Sequence, residues 1–330
     1  MKISVIIPVR NEEDSIDALL SRLLEQTLLP DEIIITDGGS RDRTTSIIQG
    51  YIDRGAPVRL IRTNGALPGR GRNLASAHSI GDWLAFTDGG IRPEPNWLEA
   101  LADKAEAQNA DVVYGTWEPV IDSFFKECAA IAYVAPPMQV DGRPLRPRFI
   151  ASALMRRSVW EKVGGFPEHL RSAEDLLFMD NVEYANYEIA RSAAALVHWQ
   201  MQPTLWRTFR RFAIYARHNI RAGLWRQWQA AIFQCYALIA IVAVPAIFLG
   251  PKWLFLPLLL WLALLMARAI KALVQNRHSY PAGILRSSLR LLLIVPIIAT
   301  LDAAAFTGTI TWLLRDRLRL APTEHDDSGE

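Results

Sequence analysis

ISVIIPVRNEEDSIDALLSRLL, Ile3–Leu24, is the stretch on which the fold turns. Ile3 to Val9 is a short β-rich run closed by Pro8 and a polar turn, the pattern of a buried strand. After the turn, Ile16, Leu19, Leu20, Leu23 and Leu24 recur at helical spacing and give one apolar face. The unit is therefore a strand followed by an amphipathic helix, and it repeats outward along the chain. Glu32–Thr36 reads as a second strand, followed by the turn DGGS and a helical stretch to about Arg54. Val58–Arg62 and Trp83–Thr87 read as the third and fourth strands. Strands alternating with helices of this length predict a parallel α/β sheet. Ligands of such sheets bind beyond the carboxyl ends of the strands, where Asp37 and Asp88 both fall.

Composition divides the chain. It has 330 residues, 51% of them hydrophobic, and a mean hydropathy of +0.11. The apolar excess lies after about residue 230; before about residue 200 the sequence reads as an ordinary globular domain. A formal charge of +2 gives no reason to expect a nucleic-acid partner. Cys128 and Cys235 are too few and too scattered for a zinc site, and a reducing compartment suits them. The run ISVIIPV is too short for the apolar core of a signal peptide and leads straight into RNEED, so the N-terminal domain is expected in the cytoplasm.

Residues 204–228 carry Arg207, Arg210, Arg211, Arg217, Arg221 and Arg226 with interleaved aromatics and no acidic residue. That composition suits an interfacial helix on an anionic membrane surface; a basic surface helix of the soluble domain is the plainer reading. Apolar segments follow near 231–249, 253–274 and 291–314, each close to the ~20 residues that cross a bilayer. The first two form a hairpin around GPK, with the flanking basic residues inside. The third contains Pro296 and Asp302 and is followed by RDRLR. A third crossing would place those arginines outside, against the positive-inside tendency, so a re-entrant or interfacial course is the alternative. Asp302 is either a functional intramembrane residue or a helix-packing one. The expected division is 1–203 for a catalytic domain, 204–230 for the interfacial segment, 231–314 for the membrane region and 315–330 for a polar tail.

Four pieces before residue 200 bear on chemistry: SVIIPVRNEEDSI, DEIIITDGGSRDRT, LPGRGRNLASAHSIGDWLAFTDGGIRPEPNWLEAL and VGGFPEHLRSAEDLLF. In order and spacing they resemble the family 2 glycosyltransferases of GT-A type, in particular bacterial membrane-attached members, over about residues 2–200. The resemblance implies an α/β, Rossmann-like nucleotide-diphospho-sugar transferase domain. It also implies an inverting transfer from a nucleotide-sugar donor to an acceptor hydroxyl. Together with the apolar segments, it implies a lipid-linked or membrane-associated acceptor, contact with membrane lipids, and a multi-pass protein of the inner membrane with its catalytic domain in the cytoplasm.

Each candidate residue has a physical reading beside the implied one. Asp37, with the backbone around Pro8 and Arg10, is suited to the donor's base and ribose; with Gly38, Gly39 and Ser40 it is equally suited to a tight turn capping the next helix. The family often has a second Asp where Gly38 stands. GRGRN offers Arg70 and Arg72 to the diphosphate, and a helix starting near Arg72 would aim amides at an anion; a solvated basic turn is the alternative. Asp88 begins the family's metal-holding Asp-x-Asp motif, but its second carboxylate is replaced by Gly90. One Asp suits a Mg²⁺ or Mn²⁺ ion that arrives with the donor, and it also suits arginines stabilising the leaving group with no metal. The resemblance assigns the catalytic base to Asp175, with Glu174 second; an acidic pair favoured by a helix N-terminus is the alternative. His198 and Trp199 have either a phosphate or a packing role. Two other functions fit less of the sequence: transfer of the sugar to polyprenyl phosphate, and a non-catalytic donor-binding membrane subunit.

Overall fold

A computed structural model describes residues 1–140 and 142–318; of the expected polar tail, residues 319–330 lie outside the described residues. In chain order the first elements are β1 (Ile3–Val9), α1 (Ile16–Leu24), β2 (Glu32–Asp37), α2 (Thr44–Asp53) and β3 (Val58–Arg62). Next come α3 (Pro68–His78), β4 (Trp83–Phe86), β5 (Ile91–Pro93), α4 (Trp97–Ala107), β6 (Val112–Val120) and α5 (Phe124–Tyr133). The hairpin β7 (Met138–Val140) and β8 (Arg143–Leu145) leads to β9 (Ala153–Arg156), α6 (Arg157–Val163), α7 (Glu174–Tyr184) and β10 (Ile189–Gln200). The rest is helical: α8 (Leu205–Arg221), α9 (Trp225–Trp228), α10 (Ala230–Leu249), α11 (Phe255–Gln275) and α12 (Ile284–Thr311), which ends in a π turn, Trp312–Arg317.

These elements form two compact units. Among the described residues, the first comprises residues 1–120 and 137–200, and the second residues 121–136 and 201–318. The expected single domain over 1–203 is thus interrupted, because α5 belongs with the later helices. Glu127 of α5 is bound by Arg286 and by Arg290, whose Nε lies 2.8 Å from Oε1. Tyr133 packs edge-on against Phe212 at 4.9 Å between ring centroids.

The first unit is built on an eight-stranded sheet in the order β3-β2-β1-β4-β9-β6-β10-β5. β3, β2, β1 and β4 are parallel, as the βα alternation requires. The sheet is not parallel throughout: β9 runs antiparallel to both β4 and β6, and β5 antiparallel to β10. β9 returns after the segment that carries α5 and the β7–β8 hairpin, so no single crossover helix dictates its direction. Period-two alternation separates two cores. Ile3, Val5 and Ile7 face one of them with α1 and α4, and Ile6, Ile34, Leu84 and Phe86 face the other with α7. Each of these buried apolar side chains contributes ~1.5–3 kcal/mol. Because β1, β2 and β4 are parallel and in register (Val9 beside Asp37, Ile6 beside Phe86), their carboxyl ends share one edge.

In the second unit α10, α11 and the helix running from Ile284 to Arg317 are each long and apolar enough to cross a membrane. Asp302 is fully buried and accepts both guanidinium nitrogens of Arg268, at 2.6 and 2.9 Å, which joins α12 to α11. Among the described residues this gives Asp302 a packing partner on the neighbouring helix.

Candidate active site

The shared edge gathers side chains that are far apart in sequence. α3 begins at Pro68, whose missing N–H and fixed φ suit a first helical position, rather than near Arg72 as expected. Arg70 therefore lies in the first turn and is exposed, while Arg72, two residues on, is buried. The glycines of GRGRN allow this depth. A side chain at Gly69 would begin 2.3 Å from Pro167 O, and one at Gly71 would begin 3.1 Å from Pro8 Cβ.

Arg72 does not point to solvent. Its Nη1 donates to Glu174 Oε1 at 2.8 Å and its Nη2 to Asp88 Oδ1 at 2.7 Å. Its guanidinium stands over the Phe166 ring at 5.3 Å, and Phe166 packs between Phe86 and Phe178. Asn73 fixes that ring's loop: Oδ1 accepts from Phe166 N–H at 2.8 Å and from Trp160 Nε1 at 3.1 Å, and Nδ2 donates to Phe166 O at 2.9 Å. The Asp88 side chain stays 34% exposed, so this carboxylate has one side on the protein and one on the open edge.

Glu174 and Asp175 open α7. The residue before them, Ala173, has φ +69, a left-handed conformation that costs a non-glycine residue ~1–3 kcal/mol and turns the helix start toward Arg72. Burial raises the Glu174 carboxyl to about 7, helped by the neighbouring Asp175 charge and opposed by Arg72. Asp175 is also raised by burial; the Arg72 charge pulls against this and Asp88 adds to it. Glu174 Oε2 and Arg72 Nε are buried without a hydrogen-bond partner among the described residues. The cluster thus holds two carboxylates of unequal environment beside one guanidinium, an arrangement fit for proton transfer next to an anion.

The other expected positions are arranged differently. Asp37 is buried and its carboxylate accepts the backbone N–H groups of Gly39 (3.2 Å) and Ser40 (3.1 Å), so it closes its own turn. Gly38 has no room for a side chain, which would begin 2.5 Å from Ala66 O. Pro8 lies at the end of β1, and Arg10 follows in the loop. His198 Nε2 lies 2.6 Å from Glu94 Oε1, and Trp199 packs edge-on to Trp117, so both are engaged within the sheet's far half.

Glu12 was not singled out from the sequence. A side chain at Gly89 would begin 2.8 Å from Glu12 Cγ, and one at Gly90 would begin 3.9 Å from Glu12 Oε2. The carboxylate of Glu12, which also accepts from Ser15 Oγ, therefore reaches toward the ground a second Asp would occupy in an Asp-x-Asp motif. Asn11, just before it, has φ +55 and is held by Ser40 Oγ (2.8 Å from its N) and by Arg41 N–H (2.9 Å from its Oδ1). The signal was present in RNEED, but a loop glutamate reveals its partner only once β1 and β4 are side by side. A divalent cation suits this set: hard oxygen donors from Asp88 and Glu12, with phosphate oxygens and water completing the shell. Among the described residues no group of three or more His, Cys, Asp or Glu could hold a metal on its own.

Comparison with known proteins agrees with the fold. The family model for Glycosyl transferase family 2 matches residues 4–164, which include Arg72 and Asp88 and end before Glu174. An uncharacterized glycosyltransferase of Bacillus subtilis, EpsJ, is 28% identical over 194 residues, 53% of this chain and 54% of that protein. The O-antigen chain rhamnosyltransferase RfbN of Salmonella typhimurium is 27% identical over 234 residues, 64% of this chain and 70% of that protein. The match thus spans about half the length of the Bacillus relative. The mannosyltransferase PcManGT of Pyrobaculum calidifontis, solved with GDP-Man and Mn²⁺, shares the fold, with a TM-score of 0.57 at 18% identity; the alignment covers 96% of this chain and 88% of that one. Residues 4–164, just under half of the 330-residue chain, are thus similar to glycosyl transferase family 2.

Proposed function

We propose that the protein transfers a sugar, with inversion, from a nucleotide-sugar donor to a membrane-associated or lipid-linked hydroxyl acceptor. The observation that carries this reading is the bridge from Arg72 to both Asp88 and Glu174, which joins three separate segments beside Asp175 at the ends of the parallel strands. Asp175 is the base: it is half-buried, its carboxyl is raised, and it is not held by the guanidinium as Glu174 is. In the reaction the acceptor oxygen attacks the anomeric carbon, the bond from that carbon to the diphosphate oxygen breaks, and the hydroxyl proton passes to Asp175. Arg72 holds the acidic groups in place. Arg70, exposed at the start of α3, is placed to meet the diphosphate, as are the first amides of that helix. Asp88 and Glu12 would hold Mg²⁺ or Mn²⁺, which would supply neutralisation of the diphosphate's charge. Pro8, Arg10 and the turn closed by Asp37 line the donor's nucleoside side. The apolar helices α10 and α11 and the basic helix α8 support attachment to a membrane with the catalytic domain on its cytoplasmic side. Within this reading residues 1–120 and 137–200 form the catalytic domain.

The test is calorimetric titration of the detergent-solubilised chain with UDP-, GDP- and dTDP-sugars, each with Mn²⁺, with Mg²⁺ and with EDTA. Binding of one donor class, followed by its slow hydrolysis in the absence of acceptor, is expected. No binding under any condition would sink the reading.

A further inference from the structure

We infer that α12 does not cross the bilayer but lies across the base of the α10–α11 hairpin, so that the described chain crosses twice and the carboxyl end of α12 returns to the side of the catalytic domain. The inference rests on the membrane attachment proposed above. It is carried by where the partners of α12 sit.

The hairpin itself has the dimensions of two crossings. α10 and α11 have 20 and 21 residues, a rise of ~30 Å each. Their outer halves are largely bare: Ile241, Ile247, Phe248, Leu258 and Leu262 are all exposed. α12, by length alone, could run beside them, and a helix doing so would contact those outer halves. Its contacts are elsewhere.

At its start Arg290 binds Glu127 of α5 and the Tyr280 carbonyl at 2.8 Å. Further along, Asp302 binds Arg268, about two turns from the end of α11. Phe306 packs on Phe233 and Tyr236, in the first two turns of α10. Gly308 lies directly on α8, where a side chain would begin 2.4 Å from Ala213 O and 2.7 Å from Ala216 Cβ. Asp316 then takes both Nε and Nη2 of Arg217, at 2.9 and 3.1 Å. From Arg290 to Asp316 a helix rises ~39 Å, enough to reach the hairpin tip from its base. Instead Asp316 ends on α8, the helix that precedes α10.

α8 fixes the depth. It is strongly amphipathic, carries Arg207, Arg210, Arg211, Arg217 and Arg221 with no acidic residue, and exposes Trp206, Arg207 and Arg210. Such a helix belongs at the level of anionic headgroups, not in the hydrocarbon. The carboxyl end of α12 is therefore at that level too. This also keeps Arg315 and Arg317 inside, removing the conflict with the positive-inside tendency that a third crossing creates. α8 and α12 together form a two-helix layer embedded in one leaflet, with the hairpin as the anchor through both.

The experiment uses the full chain in sealed vesicles of known sidedness. Cys128 and Cys235 are changed to Ser, and a cysteine is placed either at the hairpin tip (Lys252→Cys) or after the last residue. Labelling by a membrane-impermeant maleimide is read from each side. The expected result is that the hairpin-tip cysteine labels from the side opposite the catalytic domain, and the terminal cysteine from the same side as that domain. Protease protection of a C-terminal epitope on the otherwise unchanged chain gives the same answer without the cysteine replacements. A terminal cysteine or epitope reached only from the hairpin-tip side overturns the two-crossing course while leaving membrane attachment standing. Release of the unchanged chain by alkaline carbonate would overturn the attachment itself, and the inference with it.

Discussion

Arg72 stands between Asp88 and Glu174, 2.7 Å from one carboxylate and 2.8 Å from the other, with its own side chain almost wholly buried. Both contacts need the planar, forked donor of a guanidinium. Removal of one partner from a buried pair leaves a charge without compensation, at a cost of ~3–5 kcal/mol. Arg72→Ala is therefore expected to lower the thermal midpoint sharply and abolish transfer. Arg72→Lys, which keeps the charge but reaches only one carboxylate well, should fold and lose most of its activity. Differential scanning fluorimetry with a turnover assay checks both; a lysine variant of normal activity would show that the bridge does not position the site.

Asp175→Asn should reduce kcat by ~10²–10⁴ while leaving donor binding within a few fold, because a base acts on the acceptor proton and not on the nucleotide. Glu174→Gln keeps the contact to Arg72 and should cost less in kcat. Retention of substantial activity by Asp175→Asn would point instead to an acceptor that is already an anion, such as a phosphate monoester.

The Glu174 carboxyl, raised to about 7 by burial against an ordinary value of 4.5, makes stability depend on pH in a defined direction. Between those two values the folded chain binds more protons at this site than the unfolded chain does. Stability should then fall as pH rises from about 5 to 7, since it falls wherever the folded state is the more protonated one. Glu174→Gln should flatten that slope. Chemical unfolding of the full chain at a series of pH values measures it; an unchanged slope in the variant would assign the dependence elsewhere.

The metal reading has its own test at Glu12. Glu12→Gln should weaken Mn²⁺ binding in the presence of donor nucleotide, followed by electron paramagnetic resonance of the free ion. Gly90→Asp, introduced into that variant, should recover part of the affinity by restoring a second carboxylate from the other loop. If Mn²⁺ affinity is the same in all three proteins, Glu12 is not a ligand.

Sequence and structure part company where contacts replace patterns. The four parallel strands and α1 were legible because apolar periodicity and the βα rhythm are local signals. The antiparallel return of β9 was not, because a four-residue strand after a long insertion carries no mark of its direction. The ion triad illustrates the same limit within the site. Arg72, Asp88 and Glu174 were each visible as candidates, Arg72 as a phosphate ligand. That its charge is directed to carboxylates depends on Gly69 and Gly71 letting α3 sink between Pro8 and Pro167, a packing relation that spans about a hundred residues of chain. Asp37 shows the opposite case, since the turn it closes with Gly39 and Ser40 is local and was readable from DGGS alone.

Asp302 offers a last distinction. Its two oxygens are both taken by Arg268, and no part of its surface is exposed. A residue serving only to lock α11 to α12 and a residue serving a proton or substrate path would both be damaged by Asp302→Leu, which strands the Arg268 charge and should cost ~3–5 kcal/mol. The double variant Arg268→Leu with Asp302→Leu separates them. Replacement of a whole buried pair by apolar side chains is often neutral or stabilising, so a locking role predicts that the double variant recovers both its thermal midpoint and its transferase activity. A path role predicts that stability returns while activity does not. The geometry, with each oxygen matched to one guanidinium nitrogen, favours the first outcome.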